Sequence, residues 1–149
     1  MATDRAQPRF SEWTPVQKGV LVISALQILW SIAGFIAEPT FAVGEDAPTA
    51  TVLWVDFNGW HALSGLLLFV PGLIAAFRAE WAVVYAWAAA GALVVTGLWA
   101  LAETQVAYVF TFPNNEADAV LHLATGALFV ALGVVGSARP RPFRRPTAT

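Results

Sequence analysis

HALSGLLLFVPGLIAAFR (61–78) recurs in outline 61 residues later as HLATGALFVALGVVGSAR (122–139). Each stretch opens on a histidine, carries glycine at the fourth and eleventh positions beyond it, and closes on an arginine at the seventeenth. No charged residue lies between the histidine and the arginine. At about 1.5 Å of rise per residue, that interval is roughly 26 Å of helix, close to the ~30 Å hydrocarbon core of a bilayer. The two stretches therefore read as membrane-spanning helices running in the same direction.

Two further apolar stretches precede them, VQKGVLVISALQILWSIAGFIA (16–37) and a run from 82 to 102, ending in "IAEPT" (36–40) and "LAETQ" (101–105). With 60–77 and 119–138 they make four spans, each long enough to cross a bilayer as a helix that satisfies its own backbone. Composition agrees: of 149 residues, 58% are hydrophobic and only 12% charged, against about 25% charged in an average soluble chain. The fold class expected is all-α, an integral membrane four-helix bundle built from two parallel two-helix repeats. Residues 1–15 form a leading segment, 16–138 the four-span domain, and 139–149 a flexible basic tail. The first span, long and containing Gln27 and Trp30, reads as a retained anchor rather than a signal peptide.

Charge sets the orientation. The basic residues are Arg5, Arg9, Lys18, Arg78, Arg139, Arg141, Arg144 and Arg145, all at the N-terminus, in the turn after the second span, or in the tail. The other two loops carry acids: Glu38, Glu45, Asp46 and Asp56 in one, Glu103, Glu116 and Asp118 in the other. The positive-inside rule then places both termini in the cytoplasm and both acidic loops outside. A multi-pass membrane protein is expected. The absence of cysteine excludes disulfides, thiolate metal sites and covalently attached haem.

The equal distances from His61 to Arg78 and from His122 to Arg139 put both histidines at one depth, near the outer edge of the hydrocarbon. A glycine lies one turn beneath each, Gly65 and Gly126, where another helix or a flat ligand can approach closely. The two imidazoles are expected to face one another or a shared site, since exposure to lipid would leave their nitrogens unpaired. Glu38 and Glu103 close the first and third helices at the same level, where the helix dipole disfavours a negative charge. They are the carboxylates expected to partner the histidines. Asp118 has a local explanation, as an acid in the first turn of a helix capped by Asn115.

TPVQKG (14–19), the N-x-x-H of Asn58–His61 and the H-x-x-x-G of the fourth span together resemble domain of unknown function 4383, a family of small four-helix bacterial membrane proteins. The resemblance covers roughly residues 14–137 and implies a cytoplasmic membrane location without implying an activity. One departure stands out: His122 is preceded by Asp118 at four residues, where His61 has Asn58 at three. A looser similarity connects the chain to four-helix membrane proteins of the DoxX type, some linked to quinone chemistry.

Three functions follow from these residues. No nucleophile–base pair, phosphate-cradling loop or dinucleotide fingerprint is legible, which favours a non-catalytic accessory protein that binds lipid or a partner. Membrane lipids are its expected surroundings, nucleic acid is not expected, and the small-residue run WAAAGALVVTG (87–97) offers a face to a partner or a second copy. The alternative is a redox protein, with His61 and His122 above Gly65 and Gly126 as axial ligands of a b-type haem. In a variant of it, His61, His122, Glu38 and Glu103 hold a divalent metal. Transport is the third reading, weakened because Gln27 is the most polar group at mid-depth.

Overall fold

The computed structural model describes residues 9–44, 46–102, 105–106 and 112–138; Glu103, the leading residues 1–8 and the tail from 139 lie outside them. Four helices carry the fold: α1 (Pro15–Ala37), α2 (Gly59–Ala75), α3 (Ala79–Ala102) and α4 (Glu116–Ser137). Of these, α1, α3 and α4 are long and apolar enough to cross a membrane, while α2 is apolar but has 17 residues. It is shorter than the expected span because Ala76–Arg78 fold into a tight turn, with the Arg78 amide donating to the Ala75 carbonyl, before α3 begins. This is the architecture of a membrane protein. Apolar side chains such as Leu26, Leu29, Ile36, Leu67, Ile74 and Leu128 point outward all round it, as lipid-facing residues must.

The start of α1 explains the TPVQKG motif. Thr14 accepts from the Gln17 amide and Gln17 Oε1 accepts from the Thr14 amide, at 3.2 and 3.0 Å, with Pro15 in the first turn. This reciprocal box satisfies two of the amides a helix start leaves unpaired. The Gln17 side chain also donates to the Ala76 carbonyl at 2.9 Å, fastening the start of α1 to the end of α2. Trp13 packs edge-on against Phe77 at the same end. Arg9, Lys18 and Arg78 therefore share one end of the bundle.

Among their described residues, both acidic loops carry short paired strands where the sequence pattern predicts loop. Between α1 and α2 lies an antiparallel hairpin, β1 (Ala50–Val52) with β2 (Val55–Phe57), paired Ala50 to Phe57 and Val52 to Val55. Between α3 and α4, β3 (Gln105–Val106) pairs with β4 (Phe112–Pro113). The first hairpin turns on Leu53 and Trp54, at φ 48° and 73°, the double left-handed geometry of a tight hairpin, here taken by two bulky residues rather than Asn-Gly. Outside contacts hold it: Trp30 Nε1 donates to the Val52 carbonyl at 3.1 Å, and Asn115 Nδ2 to the Trp54 carbonyl at 2.9 Å.

Each half is thus a helix, a hairpin and a helix, and each half packs on itself, α1 on α2 and α3 on α4. Glycines make these pairs close. Gly72 of α2 leaves room for Ser24 and Tyr85, Gly126 of α4 lies against Val94 of α3, and Gly133 lies against Trp87. The halves meet through α1–α3, α2–α3 and α1–α4, but α2 and α4 make no close backbone approach. Long side chains fill the gap between them. Phe69 of α2 stacks on Phe129 of α4 with centroids 6.5 Å apart, and Tyr85 packs edge-on against Phe129. Immediately beyond this pair, towards the acidic end, aromatic filling gives way to a cavity.

Candidate functional site

That cavity, about 240 Å³ in volume, lies between all four helices. Phe69 and Leu93 form its apolar floor, and the walls set polar groups among apolar Trp30, Leu68, Ala100 and Leu121: Gln27 and Ser31 from α1, Ser64 from α2, Thr96 from α3, Thr125 from α4. Gln27 Nε2 donates to Thr125 Oγ1 at 3.3 Å, so the polar lining reaches the middle of α1. Over the top stand Val55, Phe57, Pro113 and Asn114 from the hairpins and the two helix starts, together with His61, Asp118 and His122.

The two histidines converge. Their ring centroids are 6.2 Å apart, across the gap between α2 and α4. His61 is set by its surroundings on three sides. The Asn58 side chain caps α2 by accepting from the His61 amide at 2.9 Å. Phe57 stacks on the imidazole with centroids 4.6 Å apart, its own ring lying where Gly34 of α1 carries no side chain. Nδ1 lies 2.8 Å from the Asp56 carbonyl; with a carbonyl as partner, Nδ1 carries the proton and Nε2 keeps its lone pair.

His122 is held by its own helix. Its Nδ1 lies 2.9 Å from the carbonyl of Asp118, one turn earlier, and the same assignment follows. Asp118 is the group that joins the two rings: its Oδ1 lies 3.7 Å from His61 Nε2 and 3.1 Å from His122 Nδ1. Its side chain is 6% exposed, those of His61 and His122 11% and 18%. With the His122 N–H directed at the carbonyl, Oδ1 has no hydrogen-bond partner among the described residues. A buried carboxylate oxygen without a donor is costly unless a cation sits against it.

The carboxylate is not the one expected. Glu38 turns back on its own loop, where Oε1 accepts from the Thr40 amide at 3.1 Å, and it does not join the cluster. That local bond answers the unfavourable helix end which made a histidine partner attractive. Glu103 lies outside the described residues. Asp118 supplies the charge instead, while Asn115 caps α4 as expected by accepting from the Asp118 amide at 3.0 Å. The signal was present as the Asp-x-x-x-His spacing, which puts both side chains on one helix face.

The glycines one turn below the histidines serve packing. Gly65 lies against Ser31 of α1 and also borders the cavity; Gly126 lies against the Val94 backbone and side chain and does not line it. This arrangement does not favour a b-type haem. The cavity is smaller than the roughly 300–1,000 Å³ of pockets that take drug-sized ligands, and Asp118 stands 3.7 Å from the His61 Nε2 edge that would have to face the iron.

A four-helix membrane architecture with a buried His–Asp–His cluster under two hairpins defines the class. The chain belongs to the family described as Domain of unknown function (DUF4383), whose model matches residues 17–135. No curated protein and no solved structure matched the chain.

Proposed function

We propose that this protein works by binding rather than by catalysis: an accessory protein of the bacterial plasma membrane that takes a small polar ligand into its four-helix cavity from the outer side. The observation that carries this reading is the cavity itself, walled by all four helices and lined by Gln27, Ser31, Ser64, Thr96 and Thr125 at a depth where membrane helices are otherwise apolar. Polar side chains facing an interior space between spans are the usual mark of a functional site in a membrane protein. The basic end, with Arg9, Lys18 and Arg78, is read as cytoplasmic, and the acidic end with the hairpins as outer. The outward apolar side chains meet lipid. Ala88, Gly91 and Ala92, exposed on α3 with open space beside Gly91, suit a partner helix or a second copy.

The absence of native cysteine makes the test clean. Single cysteines at Thr49 and at Ser64 should both react with a small charged thiosulfonate applied outside intact cells, Ser64→Cys more slowly. A cysteine at lipid-facing Leu26 should stay silent, and one at Thr147 should react only after lysis. Reaction at Thr49→Cys with none at Ser64→Cys would show the cavity sealed from the outer side and defeat the reading.

A further inference from the structure

We propose that His61, Asp118 and His122 form a binding site for a divalent transition-metal ion, with zinc the best-suited probe, and that the ion ties α2 to α4. One nitrogen of each imidazole and one Asp118 oxygen lie within 4.8 Å of one another. Ligands held ~2.0–2.2 Å from a tetrahedral zinc stand roughly 3.4 Å apart. The 3.7 Å separation between Asp118 Oδ1 and His61 Nε2 is already close to that spacing.

The surroundings have the character of a metal site. His61 Nδ1 is directed at the Asp56 carbonyl at 2.8 Å, leaving Nε2 as the lone-pair atom on the Asp118 side. His122 Nδ1 is likewise held by a carbonyl, at 2.9 Å. A ring N–H fixed on a backbone carbonyl is the usual way a metal-binding histidine is oriented and its tautomer set. Phe57, stacked on His61, restricts the ring further. The buried Asp118 Oδ1 has no hydrogen-bond donor among the described residues, and a dication would supply the missing positive charge.

Two neutral imidazoles and one carboxylate suit zinc or ferrous iron. Three protein ligands leave at least one coordination position open, and the cavity lies on that side, lined by Ser64 and Asn114. The ion would also join the two helices that make no close backbone approach to each other. It thereby links the two halves of the chain. The proposal rests on the binding reading given above and names the first occupant of that cavity.

The test is titration of the chelator-stripped, detergent-purified full chain with zinc, followed by calorimetry and thermal melting, with cobalt(II) as an optical probe. The expected result is one zinc per chain, a higher melting temperature, and visible cobalt bands of a four- or five-coordinate site. Asp118→Asn and His61→Gln should each weaken binding about tenfold or more and remove the cobalt bands, while Glu38→Gln leaves both unchanged. Zinc binding of equal strength in wild type, Asp118→Asn and His61→Gln overturns the site. So does failure of the folded wild type to bind zinc, in which case a proton on one imidazole balances the carboxylate. If Ser64→Cys still reacts from outside in that event, the metal fails and the cavity reading stands; if it does not, both fall.

Discussion

The two halves of the molecule follow one pattern up to the point where they enter the second helix of each, and there they differ by one turn. In the first half Asn58 caps α2 three residues before His61; in the second Asn115 caps α4 seven residues before His122. The residue four before each histidine is therefore Phe57, the last of a strand, in one half and Asp118, inside a helix, in the other. Phe57 stacks on His61; Asp118 reaches towards both rings. The matched parts of the halves build the bundle, and the mismatched turn builds the site. Two similar half-frames bring in the two histidines, and only their mismatch places a single charge between them.

The largest effect should come from the aromatic pair that fills the gap between α2 and α4. Phe129 is fully buried, and Phe129→Ala should cost about 3–5 kcal/mol, read as a lower melting temperature in detergent. Phe69→Ala should cost less, because one side of that ring already borders the cavity. Equal losses would mean that the cavity is filled by something as dense as protein.

Glycine substitutions sharpen the comparison next. Gly126→Leu and Gly65→Leu should each destabilise by roughly 1–3 kcal/mol through overpacking. The second half should suffer more, since a side chain at Gly126 meets the Val94 backbone while one at Gly65 meets the movable Ser31 hydroxyl. Gly91→Leu, with open space around it, is the control and should be near neutral. A loss at Gly91 as large as at Gly126 would place a partner helix on that face.

The smallest effects lie at the caps. Asn58→Ala and Asn115→Ala each remove a side chain that accepts an amide in the first turn, worth about 0.5–2 kcal/mol. Asn115→Ala also frees the Trp54 carbonyl and should speed proteolysis at the first hairpin.

The bundle was legible because span length and hydropathy are long-range averages that local detail cannot disturb. Four long helices were expected, and four are present among the described residues. The hairpins were not legible, since the turn at Leu53–Trp54 uses none of the residues that signal one and is held by Trp30 and Asn115 from elsewhere in the chain. Convergence of His61 and His122 followed from depth and face alone. The choice of carboxylate did not, because Asp118 had a sufficient local account as a first-turn acid of α4, and tertiary packing decides which carboxylate is carried inward. Helix-end electrostatics favoured Glu38 as the partner. A backbone amide two residues away satisfied it first.

The chain contains two histidines, so protein labelled with ¹³C and ¹⁵N only at histidine reports on the convergence directly by magnetic resonance. A through-space cross-peak between the two imidazoles is predicted, with both ring signals displaced in Asp118→Asn and neither displaced in Glu38→Gln. Two independent rings with no cross-peak, or one ring indifferent to Asp118→Asn, would contradict a shared site built from both halves of the molecule.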